Sequence, residues 1–321
     1  MKYFITGGAG FIGSSLADEL AKNPADKITV YDNMSTGLPE FMEDLRSKEN
    51  VKIIIGDVLD ERKLTESIKG SDFVFHFSAN ADVRFGLEHP KKDLEQNTIA
   101  THNVLEAMRQ SGINKIAFSS TGAVYGEAAV FPTPENCPFP VQTSLYGSSK
   151  LAGEALISSY CEGFEFTGYI FRFVSILGER YTHGHVYDFY RQLMKNPKEL
   201  KVLGDGRQKK SYLYIKDCLN AMMTVINSAK EPVNIYNLGT DEYCEVNDSI
   251  RWMCQYLGIE PELIYSGGSR GWVGDNPFIF LDCNKLKQLG WRAEMSIKDS
   301  VIKTVRYIEK NTWIYDRRKE L

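Results

Sequence analysis

Tyr146 and Lys150 stand four residues apart in the run Tyr-Gly-Ser-Ser-Lys, and a helix through that run places both side chains on one face. Such a pair can move protons. A phenol is a poor base at its usual pKa of about 10, but an ammonium beside it stabilises the phenolate and lowers that value. The pair can then exchange a proton with a substrate hydroxyl near neutral pH. A second hydroxyl would hold the same substrate oxygen, and Thr121, which closes Ser119-Ser120-Thr121, is the candidate. Alone, a Tyr and a Lys at this spacing are most often a surface pair, so the reading depends on the elements that position them.

Those elements begin at the first residue. Lys2 to Thr6 reads as a short buried strand, Gly7, Gly10 and Gly13 punctuate a turn, and Phe11 to about Lys22 reads as a helix. A second strand, Ile28 to Tyr31, delivers Asp32. A strand ending in a glycine turn aims backbone N–H groups and the positive end of a helix dipole at a phosphate. Glycine also lets backbone approach a pyrophosphate and lets the helix pack on the strand. An acid about twenty residues on accepts hydrogen bonds from a ribose diol and repels a 2′-phosphate. The stretch therefore predicts a dinucleotide site, with NAD favoured over NADP; the competing explanation is a purely structural turn.

The same alternation continues. Val51–Ile55, Phe73–Phe77 and Lys115–Ser119 read as strands, and Glu61–Lys69 and Asp93–Ser111 as helices. A helix from Tyr146 to about Cys161 and a strand over Phe166–Phe173 follow the proline-rich stretch Phe131–Pro140. Alternating strands and helices imply an α/β fold with a doubly wound parallel sheet of Rossmann type. Ligands bind at the carboxyl ends of such strands, which singles out Gly7, Asp32, Asp57, Ala79 and Ser120-Thr121. Beyond Val174 the alternation loosens. We expect residues 1–174 to form the dinucleotide-binding domain, with 215–240 returning to it, and residues 175–214 and 241–321 to form a smaller α/β substrate-binding lobe.

Composition excludes other classes. The 321 residues carry a net charge of −4, which offers no basic field to nucleic acid. No apolar run approaches the roughly 18 residues of a membrane span. The six cysteines show no C-x-x-C and read as reduced thiols, so a cytoplasmic location is expected. His183 and His185 form an H-x-H pair without a third ligand at suitable spacing, so no metal is expected.

Taken together, Thr6-Gly-Gly-Ala-Gly-Phe-Ile-Gly13, Asp32-Asn33, Gly56-Asp57-Val58, Ser119-Ser120-Thr121, Val124-Tyr125-Gly126 and Tyr146-x-x-x-Lys150 resemble the extended short-chain dehydrogenase/reductases. Within them the likeness is to the NAD-dependent epimerase/dehydratase group that acts on nucleotide-sugars. It runs through Lys210–Asp217 and Leu289-Gly290-Trp291, and His183–Phe189 (H-G-H-V-Y-D-F) is most similar to compact archaeal-type UDP-glucose 4-epimerases. The resemblance implies NAD as cofactor. It places Gly7, Gly10, Phe11, Ile12 and Gly13 at the pyrophosphate, and Asp32 and Asn33 at the adenosine ribose. Asp57 and Val58 fall at the adenine, and Phe77, Ser78, Ala79 and Ala81 along the nicotinamide half. Ser35, Gly37, Asn97, Ser119 and Val174 complete the cofactor set, with Asn97 near the catalytic centre. Thr121, Tyr146 and Lys150 become the catalytic triad. Thr121 and Tyr146, with Ser175, His185, Val186, Lys201, Val202, Leu203, Lys210, Arg270 and Ile279, fall where relatives hold a UDP-sugar, Arg270 as a buried clamp on the diphosphate. Relatives also pair the helices Asp93–Ser111 and Tyr146–Cys161 into a homodimer.

The reaction can be narrowed. Family 4,6-dehydratases carry Asp-Glu directly after the Thr to eliminate water, whereas Gly122 and Ala123 stand here and cannot move a proton. A 4-epimerase needs neither group. It oxidises the sugar C4, lets the 4-keto ring turn and returns the hydride from resident NAD. UDP-glucose and UDP-galactose are the expected pair; N-acetylated or uronate sugars, a net oxidoreductase and a non-catalytic dinucleotide-binding protein are the alternatives. Ser175 stands where Asn is common, Lys210 where Arg is usual, and Ile279 at the position that gates sugar size.

Overall fold

The strand Lys2–Thr6 (β1) is covered on both faces from Phe4 onward, as a central parallel strand must be. The computed structural model describes residues 1–80, 85–139, 141–272 and 274–319. Five further strands follow β1: Lys27–Asp32 (β2), Val51–Ile55 (β3), Phe73–His76 (β4), Lys115–Thr121 (β5) and Thr167–Phe173 (β6). With the strand Val233–Leu238 they form one seven-stranded sheet, ordered Val233–Leu238, β6, β5, β4, β1, β2, β3. The pairs β1–β2, β1–β4, β2–β3 and β4–β5 run parallel. Strand order reverses between β1 and β4, which makes their carboxyl ends the switch point where this architecture binds ligands. The doubly wound α/β fold expected above is the fold observed.

The chain divides into two compact units: Met1–Val124 with Ser144–Arg172 and Val225–Tyr236, and Tyr125–Thr143 with Phe173–Thr224 and Asn237–Leu321. In the first unit, Phe4, Tyr31, Leu64, Val104, Phe118, Ile157 and Ile170 form the buried core. Helices Ala100–Gln110 and Leu145–Phe164 lie on it, contributing Val104, Leu105 and Met108 from one and Ile157 and Cys161 from the other. The predicted helix Asp93–Ser111 is not uniform. A short turn, Pro90–Asp93, leads into wide π-helical turns over Leu94–Ile99, and a regular helix begins only at Ala100. The predicted helix at Tyr146 starts at Leu145, capped by Ser144 Oγ, which accepts from Gly147 N at 3.0 Å.

The second unit is built from short pieces. Tyr212–Tyr214 pairs in parallel with Ser175–Leu177. Lys209–Lys210 lies between Cys244–Glu245 and Phe278–Ile279, and Glu199–Val202 pairs with Glu262–Tyr265. Helices His185–Lys195, Val246–Leu257 and Ile297–Lys310 cover them. The six cysteines are unbridged, and no helix among the described residues is long and apolar enough to cross a membrane.

Candidate active site

At the switch point the chain leaves β1 through Gly7, whose φ of 66° favours glycine. A Cβ on Gly7 would lie 2.6 Å from the Ser78 amide nitrogen, so glycine is what lets the loop after β1 pack on the loop after β4. A Cβ on Gly13 would overlap the Gly7 carbonyl oxygen. Helix Phe11–Leu20 starts at Gly10 with no side-chain cap and no acid in its first turn. First-turn N–H groups have no partner within their own helix, so this end presents donors and a positive dipole to an anion.

The end of β2 closes the cradle. Asp32 is 8% exposed; Oδ2 accepts from Ala9 N at 2.9 Å and Oδ1 from Met34 N at 2.8 Å. Burial lifts its carboxyl above the usual carboxylate range, and the Ala9 and Met34 N–H groups oppose that rise. Asn33 Nδ2 donates to Asp57 Oδ2 at 2.9 Å, and Asn33 Oδ1 accepts from Ser35 N. Asp57 Oδ1 accepts from Leu59 N, and the buried Val58 offers its carbonyl to Asn103. Gly37 sits so close that a Cβ there would lie 2.9 Å from Asp32 Oδ1. Of the expected ribose and adenine residues, Asn33 and Asp57 are thus bonded to each other, while Asp32 is tied to the glycine loop.

Tyr146 and Lys150 occupy the first turns of helix Leu145–Phe164, and the Tyr146 phenol is hydrogen-bonded to the Thr121 side chain. Lys150 is buried; its Nζ donates to the Ser119 carbonyl at 2.8 Å and lies 4.7 Å from the centre of the Phe118 ring. Burial brings Lys150 down to about 7, while Asp93 and Glu154 act to keep it charged. The phenol does not follow the expectation of a lowered pKa. Burial, then the Asp93 carboxylate, push Tyr146 up to about 12, and the Thr121 hydrogen bond only partly offsets them. In the chain alone, desolvation outweighs any help from the neighbouring ammonium.

The layer beneath is polar and paired. Glu154 accepts from Ser120 Oγ and binds the buried Arg172 through both carboxylate oxygens, the Nη2 contact being 2.6 Å. His76 links Thr6 Oγ1 at 2.8 Å to Thr101 Oγ1 at 3.0 Å, and burial holds the ring at about 3, hence neutral. Asn97 lies in the π-helical turns. Its Oδ1 accepts from Asn80 N at 2.8 Å and its Nδ2 donates to Ser149 Oγ at 2.9 Å. Phe77, Ser78 and Ala79 follow β4 as expected; Ala81 lies outside the described residues.

In the second unit Ser175, His185, Lys210 and Ile279 come together. Ser175 and Tyr212 are register partners, and the His185 ring lies 4.8 Å from that of Tyr212. Burial and the Lys210 charge drive His185 down to about 3. Ile279 is the register partner of Lys210. Lys210 is ion-paired with Asp275 at 2.8 Å, donates to the Asn276 carbonyl and lies 5.9 Å from the Trp272 ring. Lys201 and Val202 lie on the strand Glu199–Val202, with Leu203 exposed just beyond. Val186 and Val174 are buried, and Val174 falls in this unit. Arg270 is a correction: it is exposed, not buried, and ion-paired to Glu127, because its glycine-rich loop lies at the surface of the unit. Asp275 was not singled out by sequence, since its partner is 65 residues away. Asp93 and Ser149 were also missed, although Asp93 stands four residues before Asn97.

Residues 3–239 match the NAD dependent epimerase/dehydratase family. A provisionally named UDP-glucose 4-epimerase of Methanocaldococcus jannaschii is 34% identical over 96% of this chain and 98% of its own. A dTDP-D-glucose 4,6-dehydratase of Mus musculus is 28% identical over 97% of this chain and 89% of its own. The crystal structure of UDP-glucuronic acid 4-epimerase from Bacillus cereus, in complex with UDP-glucuronic acid and NAD, superposes with a TM-score of 0.90. It is 26% identical and covers 97% of this chain and 100% of that one.

Proposed function

The chain belongs to the NAD-dependent epimerase/dehydratase family, and on that premise we propose that it is a 4-epimerase of UDP-sugars that interconverts UDP-glucose and UDP-galactose. One observation carries the choice of reaction. Thr121, hydrogen-bonded to Tyr146, is followed by Gly122 and Ala123, neither of which can hold or release a proton. Elimination of water needs an acid and a base beside the sugar; a 4-epimerisation does not.

The first unit fits NAD, the family's cofactor. The uncapped start of helix Phe11–Leu20 suits the pyrophosphate, Asp32 with Asn33 the adenosine ribose, and Asp57 with Val58 the adenine. When bound, NAD supplies a positively charged nicotinamide ring and an acceptor for one hydride that it later gives back. The chain's own groups handle the proton. Thr121 holds the sugar O4, Tyr146 takes its proton, and Lys150, brought to about 7, sustains the phenolate charge and allows the proton to return. Between these steps the 4-keto sugar presents its other face, which asks for a firm hold on the nucleotide and a loose one on the sugar. In the second unit Lys210 and Arg270 supply cationic groups for the diphosphate, with Ser175, His185, Val186, Lys201, Val202 and Leu203 as further contacts.

A second reading has UDP-glucuronate or an N-acetylated UDP-sugar as substrate; an aliphatic Ile279, half-buried and the register partner of Lys210, at the position expected to gate sugar size favours it. We also propose a homodimer, supported by the exposed apolar side chains Leu94, Ile99 and Leu145 on the first unit's helices, with a solution mass measurement as its check. The decisive experiment incubates the purified protein with UDP-galactose and follows both the sugar product and NADH absorbance. Conversion without NADH build-up is expected. Steady NADH accumulation would make the protein a net oxidoreductase, and no turnover of any UDP-sugar would leave only dinucleotide binding.

A further inference from the structure

Asp93 is a carboxylate in the core of the first unit, 1% exposed, with no role in the reading above. The turn that carries it, Pro90–Asp93, packs against helix Leu145–Phe164. Oδ1 accepts from Asn80 Nδ2 at 2.8 Å and from Asn97 Nδ2 at 3.4 Å. The same Asn97 amide donates to Ser149 Oγ at 2.9 Å, and Ser149 Oγ donates to the Tyr146 carbonyl at 2.8 Å. Thr98 Oγ1 adds a bond to the Ser149 carbonyl at 3.3 Å. A chain of bonds thus joins the Asp93 carboxylate to the backbone of Tyr146, with the Asn97 amide donating to Asp93 and to Ser149, and Ser149 donating to Tyr146. The direction of each link is set by the groups themselves, since an amide NH2 only donates and a carbonyl only accepts. The π-helical turns over Leu94–Ile99 frame the link: they widen the helix at the residues that face Ser149, and such turns concentrate at functional sites.

We propose that Asp93 is a positioning residue for the Tyr146–Lys150 pair: it fixes the first turn of their helix through Asn97 and Ser149, and it sets a negative charge beside both side chains. This rests on the reading of Tyr146 as the base. Among the described residues, the charged and titratable groups around the pair are Lys150 and Glu154 on the same helix, Arg172 on β6 bound to Glu154, and His76 at the end of β4, held neutral. Of these, Glu154 acts on Lys150, whereas Asp93 acts on Lys150 and Tyr146 alike, raising both.

The test is a phenolate titration of the NAD-bound protein by ultraviolet difference absorbance, with the signal of Tyr146→Phe subtracted to isolate Tyr146. Asp93→Asn, which keeps the shape and removes the charge, should move the Tyr146 midpoint down by about one pH unit. An unchanged midpoint overturns the electrostatic half of the proposal. Ser149→Ala breaks the link without touching the charge. It should leave the midpoint in place and lower kcat with UDP-galactose about tenfold, as misplacement of a proton-transfer group does; a parental kcat overturns the positioning half. Should Asp93→Asn fail to fold, Asp93→Glu retains the charge and should hold the parental midpoint, and a drop there overturns the proposal. The titration needs no turnover, so it decides the electrostatic half even if no UDP-sugar reacts.

Discussion

Lys150 Nζ donates to the backbone carbonyl of Ser119 at 2.8 Å, which ties the proposed proton-handling helix to the end of the strand that carries Thr121. This anchor has a cost in the folded chain. Burial lowers Lys150 to about 7, while an unfolded Lys titrates near 10.4. Between those values the unfolded chain binds more protons, so stability rises with pH across the window and is lost as pH falls from about 10 to about 7. Lys150→Met has no such term. In the cofactor-free protein, its melting temperature should gain on the parent's as pH drops through that window, by at most about 5 kcal/mol in stability. A pH-independent difference would show that Lys150 is not desolvated.

Tyr146→Phe removes the hydroxyl bonded to Thr121 and leaves the cradle around Gly7 and Asp32 untouched. Turnover should fall by about 10²–10⁴, the usual contribution of a positioned acid–base group. NAD released on denaturation should match the parent. Retained turnover would remove Tyr146 from the mechanism.

Gly13 admits no side chain, since its Cβ would overlap the Gly7 carbonyl. Gly13→Ala should destabilise the protein by about 1–3 kcal/mol through overpacking and reduce bound NAD, because the helix start must shift away from Gly7. Denaturant melts and cofactor content measure the two effects; a parental result in both would mean the turn relaxes freely.

Glu154 and Arg172 form a buried ion pair, 4% and 2% exposed. Removing one partner strands the other charge, so Glu154→Gln and Arg172→Met should each cost about 3–5 kcal/mol, and the double variant less than the sum. A double-mutant cycle reads the coupling. Additive losses would indicate that the charges do not act as a pair.

What the sequence made legible was local. Gly7, Gly10, Gly13 and Asp32 announce themselves because a strand, a tight turn and a helix impose their spacing within about thirty residues, and Tyr146 and Lys150 are joined by a single helical turn. The expected sheet follows from alternation alone. What stayed hidden depends on distant partners. The phenol of Tyr146 is set by desolvation and by Asp93, 53 positions away in the chain and reached through Asn97 and Ser149. Neither the widened turns over Leu94–Ile99 nor the pairing of Lys210 with Asp275 leaves a periodic trace. The proline-rich stretch carries no periodic signal either, yet it belongs to the second unit, where Thr133 is buried and bonds the Phe280 and Asp282 backbone.

The two backbone bonds that Asp32 accepts, from Ala9 and from Met34, bear on attempts to redesign the protein. The side chain that is proposed to read the ribose also pins the glycine loop to the strand beside it. Replacing it with a small or basic residue to admit a phosphorylated cofactor would therefore release Ala9 and the loop with it. Cofactor preference and loop rigidity are one trait in this chain, and changing the first requires a new anchor for the second.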